Sequence, residues 1–98
     1  MTIKEILGQL ETATHPIAKP LHKGDNFKVL AIGLKSGMKL KEHVASMPSK
    51  LTVISGKVFY KQLETETELQ QFDEIEIPVN IVHSVEAIED SLCLLIQG

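Results

Sequence analysis

Gly-Met-Lys-Leu-Lys-Glu-His-Val-Ala-Ser-Met-Pro-Ser-Lys-Leu-Thr-Val-Ile-Ser-Gly, running from Gly37 to Gly56, is the stretch from which the fold is read. It opens at a Ser36-Gly37 turn, sets His43 six residues on, and closes at Ser55-Gly56, a tight hairpin signal. Between these turns, Lys50 to Ile54 has the composition of a strand, and Lys57 to Leu63 returns after the second turn. Side chains alternate across a strand. If Ser49 points inward, Leu51 and Val53 share its face, and Lys50, Thr52 and Ile54 face out. Gly56 is placed to shift this register, which leaves the direction of Tyr60 open.

Outward from this stretch the chain reads mostly as strands. Phe27 to Lys35 is rich in strand formers, with Gly33 as a candidate bulge, and Lys23 to Asn26 is a turn before it. Ile17 to Leu21 holds Pro20, which suits a sheet edge. On the far side, Leu69 to Phe72, Glu74 to Ile77, Val79 to Glu89 and Leu92 to Gln97 complete the set. Glu64 to Glu68 alternates acid with threonine and reads as a solvated hairpin end. The one helix spans about residues 2–11, with a capping box of Thr2 and Glu5 and an apolar face of Ile3, Ile6, Leu7 and Leu10. Short strands separated by glycine turns indicate an all-β sandwich or barrel, over about residues 17–97.

Ninety-eight residues make one domain and leave little room for a second core. No apolar run approaches the ~18 residues of a membrane helix, and Glu5 interrupts any secretion signal at the start. Cys93, the one cysteine, lies in an apolar run and reads as a buried, inert thiol, which makes the cytoplasm the default compartment. All ten lysines lie at or before Lys61, whereas nine of the thirteen acids follow it. In one small sheet protein this means that strands from the two halves pair and opposite charges meet across the ladder. With no arginine, the basic half carries no case for nucleic acid.

Gly37, His43 and Gly56, with Asp73, Pro78 and His83 further on, resemble the two motifs of the cupin family. In the first motif Ala45 stands at the second histidine, and Ser49 or Lys50 at the glutamate. In the second, Phe72 replaces the first glycine, Asn80 the next glycine and Ala87 the asparagine, and Asn80 tolerates the same left-handed turn. The resemblance spans Gly37 to Ala87. It implies a cupin-type double-stranded β-helix, a jelly-roll barrel, with the short helix packed outside it or against a partner subunit. It also implies that His43 and His83, forty positions apart, become neighbours inside the barrel.

Metal-binding cupins converge three histidines and a glutamate on one ion, and His43 and His83 are what this chain keeps of that set. Catalytic zinc or iron sites ordinarily use three protein ligands. The first expectation is therefore a small-ligand binder without full metalloenzyme chemistry, its pocket lined by His43, Ser49, Leu51, Val53, His83 and Val85. The alternative is a divalent-metal enzyme of the dioxygenase or isomerase type, with zinc, iron, manganese or nickel held weakly by His43 and His83 and Met47 as a further candidate donor. His15 and His22 read as loop or structural histidines. The expected partners are a small molecule and a second copy of the chain, since cupins commonly dimerise and Leu92 to Ile96 with the helix offers surface for it. Neither nucleic acid nor membrane is expected.

Overall fold

The computed structural model describes residues 1–98. Helix α1 (Thr2–Leu10) precedes nine strands: β1 (Ile17–Lys23), β2 (Lys28–Leu34), β3 (Lys39–His43), β4 (Ser49–Ser55), β5 (Val58–Gln62), β6 (Thr65–Leu69), β7 (Glu74–Ile77), β8 (His83–Ala87) and β9 (Ser91–Gln97). They form a five-stranded sheet ordered β1-β2-β9-β4-β7 and a four-stranded sheet ordered β3-β8-β5-β6. Each neighbouring pair is antiparallel. The sheets are not closed into one ladder. A single parallel bridge, Ala45 to Val79, ties together the two crossings between them. The architecture is all-β with one short N-terminal helix.

The core is what the two inner faces share. Leu51 and Val53 of β4, Val58 and Tyr60 of β5, Val85 and Ala87 of β8, and Cys93 of β9 belong to one cluster of twelve buried residues. Ser49, Leu51 and Val53 are buried in strict alternation with the half-exposed Lys50, Thr52 and Ile54. Burial pushes the Cys93 thiol up to about 12, so it carries no thiolate at neutral pH. A second cluster, Ile6, Ala31 and Leu92, lies under α1 on the outer face of the five-stranded sheet. Gly33 is no bulge. It sits in regular register opposite Ile17 and Leu92, and a Cβ there would come within 2.6 Å of Ile6 Cγ2. The missing side chain is what lets the helix lie down.

Further expectations change, among them the strand expected from Leu69 to Phe72: β6 ends at Leu69 and the chain turns at Gln71 and Phe72. The capping box does not form: Met1 is the N-cap, its carbonyl accepts from the Glu5 N–H at 3.0 Å, and Thr2 is already helical. The Glu5 carboxylate instead faces the Met1 ammonium and Lys19 Nζ, each at 3.5 Å, and these charges hold it below the usual carboxylate range. Glu64 to Glu68 is no mere hairpin end, since Thr65–Leu69 is an edge strand pairing with β5. Finally, Lys39–His43 is a strand that propensity did not mark.

Charge segregation resolves into cross-strand pairs. Lys39–Glu86 (3.7 Å), Lys50–Glu74 (3.8 Å) and Lys61–Glu66 (3.6 Å) each join a lysine of the first part to an acid of the second. All are solvated, and such pairs contribute up to ~1 kcal/mol each. Their main effect is on register. No helix is long and apolar enough to cross a membrane.

Candidate functional site

Strand β3 pairs with β8 through Leu40 opposite Val85 and His43 opposite His83. Between those two contacts β3 advances three residues and β8 two, so β3 carries a bulge. Strict alternation would put His43 on the face opposite Leu40, and the extra residue turns it back to the inner face. The two imidazole centroids lie 4.1 Å apart at an interplanar angle of 59°. His83 is 3 % exposed, whereas His43 is open to solvent.

Both rings are oriented in the same way. His43 Nδ1 is 2.8 Å from the Lys41 carbonyl, and His83 Nδ1 is 3.2 Å from the Ile81 carbonyl. A carbonyl only accepts, so each Nδ1 carries the hydrogen, and in the neutral ring Nε2 is then the nitrogen with a lone pair. Burial lowers the His83 pKa, and the nearby His43 lowers it further against the opposing pull of the Ile81 carbonyl. His83 is therefore neutral at pH 7.

On the other side of β8, His83 is in register with Gln62. His43, His83 and Gln62 thus form one row across β3, β8 and β5 on the inner face. Tyr60, two residues before Gln62, is 1 % exposed, and its ring centroid lies 5.8 Å from that of His83. The Tyr60 hydroxyl donates to Gln62 Oε1 at 3.0 Å. Burial raises the phenol pKa, which keeps that donor protonated.

The remaining residues expected at a pocket are divided. Leu51, Val53 and Val85 are packed in the core cluster. Ser49 is 7 % exposed, and its hydroxyl donates to the Met47 carbonyl at 3.0 Å rather than toward the histidines. Two hollows touch some of these residues. One of about 810 Å³ runs over the four-stranded sheet and touches His83 and Val85 among Lys39 to Glu42, Lys61, Leu63 and Ser84. The other, about 640 Å³, touches Ser49 beside Pro48, Glu76 to Val79 and Ile96. Neither includes His43, Leu51 or Val53. Neither of these two hollows takes in all six residues, and Leu51, Val53 and Val85 belong to the core cluster.

Comparison with solved structures agrees with this architecture. A cupin-like protein from Thermotoga maritima is 25% identical, with a TM-score of 0.77 over 84% of this chain and 67% of its own. A cupin superfamily protein from Desulfitobacterium hafniense superposes with a TM-score of 0.81 at 13% identity, over 86% of this chain and 77% of its own. An RmlC-like cupin from Desulfovibrio desulfuricans gives 0.77 at 19% identity, over 84% and 80%. The chain is a small cupin-fold domain. No family model and no curated protein matches its sequence.

Cupin motif positions explain several backbone features. Phe72 (φ 70°) and Asn80 (φ 63°) stand where the cupin motif has glycine, and both adopt the left-handed backbone that glycine would supply. Gly56 is required twice over: its φ is 89°, and a Cβ would collide with the Asp90 carbonyl and Ser91 Oγ.

The cupin metal position can be tested on the donors present. Free Nε2 atoms with Nδ1–H held by carbonyls is how metal-ligating imidazoles are oriented. Only two such donors meet, however. Ala45 offers none, the Ser49 hydroxyl faces away, and no group of three or more His, Cys, Asp or Glu side chains gathers anywhere in the chain. The set does not fit a catalytic divalent metal. Gln62 was missed in the sequence. The signal for it was the alternation of Val58, Tyr60 and Gln62 after the Gly56 turn, buried, buried and half-buried in the structure.

Proposed function

We propose that this cupin-fold chain binds a small molecule at the His43–His83 pair without a resident catalytic metal. One observation carries the reading: two imidazoles meet with their ring centroids 4.1 Å apart, each Nδ1 beside a backbone carbonyl, and no third donor joins them. With each Nδ1 beside a carbonyl, the other nitrogen of each ring is an acceptor in the neutral form, so the pair gains most from a ligand that donates hydrogen bonds. His83 is buried and His43 is open to solvent, so what docks is one functional group of the ligand, entering from the solvated side of His43.

The second reading, a divalent-metal enzyme using the same histidines, draws on the orientation of both rings. Elemental analysis of purified protein, with equilibrium dialysis against zinc, iron, manganese and nickel, separates the two. Substoichiometric metal, unchanged in a His43→Ala/His83→Ala double variant, is expected. One bound metal per chain, lost in that variant, would overturn the first reading in favour of the second.

A further inference from the structure

We infer that the row of His43, His83 and Gln62 recognises a neutral amide-type group, one carrying an N–H donor beside a carbonyl acceptor, as in a carboxamide, lactam or urea. This inference rests on the small-molecule reading above and names the ligand's chemistry.

The argument is one of hydrogen-bonding complementarity. His43 and His83 offer acceptors, because each Nδ1–H is committed to a backbone carbonyl. Gln62 would ordinarily offer both a carbonyl and an amide N–H. Here the Tyr60 hydroxyl occupies its Oε1 at 3.0 Å, which fixes the amide orientation and leaves the NH₂ as the free end. Tyr60 is rigidly packed at 1 % exposure, so its hydroxyl is a stable anchor for that orientation.

The row therefore reads acceptor, acceptor, donor along one line of register across β3, β8 and β5. Adjacent strands stand ~4.8 Å apart, a span across which one planar amide can give its N–H to an imidazole and take the Gln62 N–H on its carbonyl. Other chemistries match only part of the row. A carboxylate has no hydrogen for the two imidazoles. An ammonium can satisfy them but meets the Gln62 NH₂ donor to donor. An amide satisfies both ends, and Gln62 becomes the residue that sets specificity.

Benzamide, benzoate and benzylammonium share a ring and present to the row an amide, an acceptor-only anion and a donor-only cation. Each is titrated at pH 7.5 into ¹⁵N-labelled protein, with the histidine ring and glutamine side-chain signals followed by NMR. Benzamide should move both histidine Nε2 signals and the Gln62 NH₂. Its affinity should drop about tenfold in Gln62→Leu, as for loss of one hydrogen bond to a buried partner. Gln62→Glu, which presents only acceptors, should shift the preference to benzylammonium. Tyr60→Phe, which releases the amide to rotate, should narrow the preference without abolishing binding. If benzoate or benzylammonium binds the unmodified protein as well as benzamide does, or Gln62→Leu leaves benzamide binding intact in a folded protein, the amide assignment falls and the small-molecule reading stands. If none of the three disturbs either imidazole, both fall.

Discussion

His43 faces His83 at 4.1 Å because a bulge in β3 absorbs the one residue it has more than β8 between their two register contacts. The geometry of the site is thus a property of the backbone, and the side chains follow from it. Deleting Glu42 leaves an advance of two residues on each strand between the contacts, so the bulge closes into plain alternation with His43 still on the face of Leu40 and opposite His83. Ring-proton NOEs between the two histidines should therefore persist in the deletion variant, along with the amide spectrum of β8 and β5. NOEs lost while that spectrum persists would show that the bulge does more than absorb the extra residue.

The buried His83 makes stability depend on pH in a defined sense. Its folded-state pKa lies below the ordinary imidazole value of 6.5, chiefly through burial. Below 6.5 the unfolded chain takes up a proton at this position that the folded chain resists, so stability declines as pH falls from 6.5 toward the depressed value. Above 6.5 this contribution is fully present and flat. Chemical denaturation at pH 7.5, 6.5 and 5.5 should show the decline, and His83→Gln should flatten it. An unchanged slope in His83→Gln would assign the effect to other groups.

Phe72 is held at φ 70° and its side chain is 75 % exposed. A bulky residue in the left-handed region is strained by ~1–2 kcal/mol, and little burial offsets it here. Its N–H nonetheless donates to the Val53 carbonyl at 2.7 Å, so the turn cannot relax without breaking the contact that closes it. Phe72→Gly should stabilise the protein by ~1 kcal/mol, read as a rise in Tm of a few degrees. Phe72→Ala keeps the strain and should gain little, which isolates the backbone as the cause. Asn80→Gly, at φ 63°, should be close to neutral because asparagine tolerates this region. A loss of stability in Phe72→Gly would mean that the ring contributes contacts outweighing its strain.

What the sequence disclosed tracks how local each signal was. The Ser49, Leu51, Val53 face is legible because apolar alternation is written into five consecutive residues, and a buried strand cannot hide it. The β3 segment Lys-Leu-Lys-Glu-His escaped because it is an edge strand that buries almost nothing, so its composition is that of a loop. The Thr-Glu-Thr-Glu-Leu of β6 misled for the same reason. The pairing of His43 with His83 was reachable through motif spacing, but the bulge that produces it was not, since a one-residue slip leaves no trace in composition. Gln62 and Tyr60 entered the site through cross-strand register, which is a property of three strands at once. The division of the expected pocket lining follows from packing: Leu51 and Val53 face inward, and the core closes over them.

The last prediction concerns Gly33 and Ile6, which act as one unit. A Cβ at Gly33 would stand 2.6 Å from Ile6 Cγ2 and 3.5 Å from Leu10 Cδ2, and Ile6 is fully buried. Gly33→Ala therefore forces α1 away from β2 and should destabilise by ~1–3 kcal/mol, the range for overpacking. Ile6→Ala empties the same contact from the other side and should cost ~2–4 kcal/mol through lost burial and the cavity left behind. The two costs should not add. With Cγ2 gone, the alanine at position 33 has room, so the double variant should be close to Ile6→Ala alone, a coupling of ~1–3 kcal/mol. Urea denaturation of the four proteins in this cycle measures the coupling directly. Strict additivity would mean that the helix is held by Leu10 and the Lys35 contact with the Glu11 carbonyl rather than by the fit of Ile6 over Gly33.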